Sequence, residues 1–135
     1  MAGLTSDVMA KPKDKIPPPL HELEALVMDE VWRQGQATVR DVLTALNRGT
    51  KQRAYTTVMT IMSRLHEKGL LGRERRGKSD LYRPVMSRDD YLDARARAET
   101  RALVDEFGDV ALAHFAKQVD KLDDKRLREL RKLAR

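Results

Sequence analysis

The chain has 135 residues, no cysteine and a formal net charge of +6. A domain of that size buries well over half of the surface its unfolded chain exposes, so a core forms without staples; the missing cysteines exclude disulfides, thiolate metal sites and thiol chemistry. No apolar run reaches the ~18 residues of a membrane span and no secretory pattern opens the chain, so a soluble, cytoplasmic protein without membrane insertion is expected.

The charge is unevenly spread. Between Arg48 and Arg83 ten Lys/Arg face three acidic residues, whereas from Ser87 onward twelve basic residues face eleven acidic ones. A basic half beside a balanced half points to an anionic partner for the first.

Residues 1–19 mix Lys11, Lys13 and Lys15 with Pro12 and Pro17-Pro18-Pro19 and are expected to be a disordered leader, or a basic arm that touches phosphates. From Leu20 a helical pattern begins, with Leu23, Leu26, Val27 and Val31 apolar, Glu22 and Glu24 at the favourable end of the dipole, and Gly35 ending it. Trp32 reads as core or core edge. Gln36-Ala37 has the length of a very short strand, and Thr38 with Asp41 resembles a capping box that opens a second helix through Val39, Val42, Leu43 and Leu46. The loop carrying Lys51 and Arg53 then leads straight into a third.

That third helix, Tyr55 to Gly69, places Val58, Ile61, Met62 and Leu65 on one stripe. Its other side carries Thr56, Thr57, Thr60, Ser63 and Arg64, where a surface helix with nothing to bind would carry Glu and Lys. Small hydrogen-bonding groups plus one guanidinium suit the reading of base edges in a major groove. Two helices, a turn and this reader make a helix-turn-helix. Behind it, extended runs flank Arg76-Gly77-Lys78-Ser79, with Gly77 at the turn. A hairpin bearing Arg73, Arg75, Arg76 and Lys78 is either a charged edge strand or a wing that grips phosphates; its position after the reader favours the wing. Alternation leaves open whether Tyr82 packs inward or stacks outward.

Ser87 with Asp90 reads as a further cap, opening a long helix to about Phe107, followed after Gly108 by a second and from Asp123-Asp124 by a third. Their apolar positions, Leu103, Phe107, Leu112, Phe115, Leu127 and Leu130, exceed what a finished winged helix needs. Intramolecular docking would account for them, but they are assigned to dimerisation, since a palindrome reader needs two heads. The expected architecture is mostly α (α+β): a leader over 1–19, a winged helix-turn-helix over 20–86 and a helical dimerisation domain over 87–135.

Catalytic chemistry has no constellation here. His21, His66 and His114 are scattered without metal spacing, and there is no phosphate loop or nucleophile elbow, so no enzyme, metal or cofactor is expected. His66 is assigned to the solvent side of the reader, His114 to a core edge.

The segments LHELEALVMDEVW, AYTTVMTIMSRLHEKGLL and RERRGKSDLYRP together resemble the BlaI/MecI (penicillinase repressor) family, in order and spacing, most clearly from Leu20 to Pro84. The resemblance implies a homodimer that represses genes by binding double-stranded DNA at a palindromic operator with TACA/TGTA-like arms. It also implies antibiotic-resistance targets such as β-lactamase genes, and derepression when a membrane sensor of β-lactam causes proteolysis in the C-terminal domain. Two departures matter. Staphylococcal members are cut at an Asn-Phe bond where this chain has His114-Phe115, and copper-responsive members use cysteines that this chain lacks. Two other readings compete: a winged-helix protein-interaction module and a nonspecific architectural DNA binder. Against the second, the reader's hydroxyl face does more than bare charge requires.

Overall fold

The structure, a computed structural model, describes residues 16–134; the leader's Lys11, Lys13 and Lys15 lie outside them. Helix α1 spans Glu22–Gln34 and is preceded by His21, whose backbone N–H donates to the Glu24 carboxylate at 3.0 Å. Gly35 ends it with φ +85°, a conformation L side chains avoid, and donates back to the Val31 carbonyl at 2.8 Å. Helix α2, Val39–Leu46, opens on the expected box: Asp41 N–H donates to Thr38 Oγ1 at 3.1 Å, and Thr38 N–H donates to the Asp41 carboxylate at 3.0 Å.

Helix α3 is the reader, Tyr55–Glu67. Val58, Met62 and Leu65 are buried and Ile61 half-buried, so the stripe read from the sequence is the face it turns inward. Strands β1, Leu71–Arg76, and β2, Ser79–Pro84, pair antiparallel with Arg76 opposite Ser79, leaving Gly77-Lys78 as a two-residue loop. Ala37 bridges to Tyr82 through two 2.9 Å backbone hydrogen bonds, which gives the expected strand stub its partner. Tyr82, left open by sequence pattern, packs inward.

These elements close over one core: Val27, Met28 and Val31 from α1, Val42 and Leu43 from α2, the reader's stripe, and Leu70, Leu71 and Tyr82 from the hairpin. Each such aliphatic side chain contributes roughly 1.5–3 kcal/mol when fully buried. Leu26 instead lies exposed, off the stripe.

Helix α4 runs Arg88–Phe107, with Ser87 Oγ accepting from Asp90 N–H at 3.0 Å. The described chain falls into two compact units, one through Ala96 and one from Arg97 onward. The first therefore runs past the boundary expected at 86–87, because Tyr91 and Ala94 of α4 are themselves buried. Tyr91 stacks at a tilt on Trp32, 5.5 Å between ring centroids, and Trp32 Nε1 donates to the Met86 carbonyl at 2.9 Å. The Tyr91 hydroxyl donates to the Pro18 carbonyl at 2.9 Å and an Arg95 guanidinium nitrogen to that of Pro17 at 3.2 Å. Pro17 and Pro18, grouped with the leader by composition, are thus pinned to α4.

The second unit holds the end of α4, helix α5 over Asp109–Asp120 and helix α6 over Asp124–Leu133. Gly108, at φ +60°, breaks α4 from α5, and Asp123 caps α6 by accepting from Arg126 N–H at 2.8 Å. From Arg97 on, Ala111 alone among the described residues is buried.

Candidate nucleic-acid interface

The reader's position is fixed at both ends. Before it, Asn47 clamps the loop: its side-chain amide donates to the Arg53 carbonyl at 3.0 Å and its oxygen accepts from Arg53 N–H at 2.8 Å. Gln52 adds bonds to the Asn47 and Gly49 carbonyls. After it, Lys68 Nζ reaches Glu24 at 2.7 Å. That carboxylate is only 3% exposed, and it also accepts from His21 N–H. Burial pushes the Glu24 pKa up, but the Lys68 ammonium and the His21 N–H outweigh it, and the net shift is downward. Lys68, counted in the sequence as part of the basic excess, is therefore spent inside the fold.

His66 departs from expectation. Rather than facing solvent it is half-buried, with Nδ1 2.9 Å from the Leu71 carbonyl, so it ties the reader to the start of β1. An oxygen that can only accept requires the proton on Nδ1.

On the outward side, Thr56, Thr57, Thr60 and Arg64 are exposed and Ser63 is half-buried. The Arg64 guanidinium is carried on this exposed side, three residues before the likewise exposed Glu67. A helix of this length is about 20 Å long, matched to a stretch of major groove. Lys51 is exposed beside it, while half-buried Arg53 folds back to donate to the Lys51 carbonyl at 3.2 Å.

The wing carries Arg73, Arg75, Arg76 and Lys78, all exposed, with Lys78 at the tip. Arg75 lies 3.5 Å from Asp80, Arg76 is 3.4 Å from Glu74, and Arg83 is 3.0 Å from Glu74. Exposed pairs of this kind are worth about 0–1 kcal/mol, so a phosphate can replace the carboxylate with little loss.

Two contributions escaped the sequence reading. Arg40, from the first turn of α2, lies over the Tyr55 ring at 5.0 Å. Tyr55 and Met59, one turn apart on the reader, are each 41% exposed. With Ser63, Arg75 and Lys78 they line a cleft between α2, α3 and the wing. On α3 Met59 lies beyond the edge of the buried stripe, and Tyr55 lies at that edge in the first turn.

In the second unit, Leu103, Phe107, Leu112 and Phe115 are exposed, and Leu127 and Leu130 half-buried. His114, expected at a core edge, is exposed instead.

The sequence profile of the family described as penicillinase repressor matches residues 20–135. The transcriptional regulator BlaI of Mycobacterium tuberculosis is 39% identical over 106 residues, which cover 74% of this chain and 73% of that protein. The penicillinase repressor of Bacillus licheniformis is 25% identical over 81 residues, 60% of this chain and 62% of its own. Among solved structures, the DNA-binding domain of the repressor BlaI superimposes with a TM-score of 0.49 at 28% identity, covering 57% of this chain and 92% of that one.

Proposed function

The chain belongs to the penicillinase repressor family, and from that premise we propose that it is a DNA-binding transcriptional repressor acting as a homodimer on a palindromic operator. The observation that carries this reading is the reader helix. It is held at both ends by Asn47 and by the Glu24–Lys68 pair, buried on one face, and hydroxyl-bearing on the other between two groups of cations. Thr56, Thr57, Thr60, Ser63 and Arg64 contact bases, while Lys51, Arg53 and the wing cations hold phosphates. The chain's role is recognition rather than catalysis.

The exposed apolar residues of the second unit support pairing. Leu103, Phe107, Leu112 and Phe115 sit in water in the single chain, and a second copy would cover them. No helix among the described residues is long and apolar enough to cross a membrane, so a membrane sensor or regulatory protease would be a separate partner. His114-Phe115 lies within α5 and is exposed, and cleavage there would remove half of the pairing surface. The regulated genes on this reading are β-lactamase or related resistance genes, and the protein acts in the cytoplasm.

Footprinting the purified protein on its own upstream region tests the proposal. The expected result is one protected palindrome whose occupancy falls steeply with salt. Equal protection along any duplex would leave only an architectural binder, and no protection at all would leave an interaction module.

A further inference from the structure

Tyr55 and Met59 are a large apolar pair placed in water, one turn apart, on the helix that faces the ligand. A single exposed apolar residue needs no explanation, but this pair lies in a cleft whose cations outnumber its one acid, Asp80. Arg40 lies on the Tyr55 ring, and Arg75 and Lys78 share the cleft. Whatever meets the pair must be both a polyanion and locally apolar. A second copy of this face would bring like charge against like charge. Duplex DNA satisfies both demands, because the thymine C5-methyl is the apolar group that a base pair shows in the major groove. RNA carries no such methyl on uracil.

Resting on the repressor reading, we infer that Met59, braced by Tyr55 and Arg40, is a specificity-determining residue that packs against a thymine methyl in each operator arm. The position fits the geometry of α3. Thr56 and Thr60 point furthest from the buried stripe, and Met59 lies on the flank toward the wing, in the cleft between the reader and the hairpin. The unbranched thioether reaches further than a threonine methyl and adapts to an irregular surface. Arg40 holds the ring of Tyr55 in place, which closes the pocket on one side.

Replacing thymine by deoxyuridine removes the methyl and nothing else. The full chain is used to select its preferred duplex from a random pool, and each thymine is then changed singly to deoxyuridine, its adenine kept. The wild-type chain is expected to lose about fourfold in affinity at one or two positions per arm, the factor for one buried methyl group. Met59→Ala should bind less tightly but make no distinction between thymine and deoxyuridine at those positions, whereas Thr60→Ser, which keeps its hydroxyl, should retain the distinction. Should Met59→Ala melt too early to assay, Met59→Gln takes its place with the same expected result. A wild-type chain indifferent to every deoxyuridine overturns the inference, as does a Met59 variant that keeps the full loss or a Thr60→Ser that abolishes it. A chain that selects no preferred duplex fails earlier, and sinks the repressor reading itself.

Discussion

Arg64 and the wing cations differ in what surrounds them, and so should differ in how they fail. Arg64 stands on the outward side of a rigid helix, suited to a bidentate contact with guanine. Arg64→Ala should cost about 1–3 kcal/mol and relax preference at one position in each arm. Arg76→Ala or Lys78→Ala should weaken all sequences alike and reduce the salt slope by about one unit per lost phosphate contact. Binding across an operator library and a salt series separates the two; a uniform loss for Arg64→Ala would make it a phosphate anchor. The Glu24–Lys68 pair makes a different prediction. Its carboxyl is held below the ordinary value of 4.5, so its contribution is complete above that pH and is lost as pH falls through the folded value. Acidification below about pH 4.5 should therefore lower the melting temperature of the wild type more than that of Glu24→Gln. At neutral pH Lys68→Ala should cost about 3 kcal/mol, since it strands a buried charge. Neither partner was legible as such. The pair spans forty-four positions, and a glutamate near a helix start together with a lysine near a helix end each have a sufficient local explanation.

At the scale of elements, local signals were readable wherever they were self-contained. Gly35, Gly77 and Gly108 each mark a break by a positive φ, and Thr38 with Asp41 forms its cap within one turn. The reader's buried stripe followed from helical period alone. What could not be read was the element that needs a distant partner. Pro17 and Pro18 looked like leader because their hydrogen-bond donors, Arg95 and Tyr91, come more than seventy residues later. For the same reason α4 looked like the start of a separate domain, although Tyr91 packs on Trp32. A chain ending at Ala96 should consequently fold as a winged helix and sediment as a monomer, while one ending at Val85 should melt at a lower temperature, having lost Tyr91 and the Met86 carbonyl. Asn47 offers a sharper test of the loop. Asn47→Ala removes both bonds to the Arg53 backbone and should cost about 2 kcal/mol by urea denaturation. It should also weaken every operator sequence equally, because the reader as a whole is less firmly held.

For the whole molecule, the proposed homodimer would set a pair of heads on one face of the duplex. Their half-sites should lie about one helical turn, or roughly 10 base pairs, apart. Inserting about half a turn of DNA between the arms turns one head away and should reduce affinity to that of a single arm; unchanged binding would refute the pair. Leu127→Ala, half-buried in the single chain, should weaken association more than it destabilises the first unit, which analytical ultracentrifugation and melting report separately.

That Ala111 alone among the described residues of the second unit is buried has a further consequence. If the proposed pairing holds, three helices with so little interior should gain their order from the neighbour they meet, making folding and pairing there a single mass-action event. Copy number then sets stability: the second unit's melting temperature should climb with protein concentration while the winged helix's stays put. In a cell, a newly made chain without a mate would present loosened helices to proteases and be cleared. Repression would accordingly switch on above a threshold supply of chains rather than rise in proportion to it.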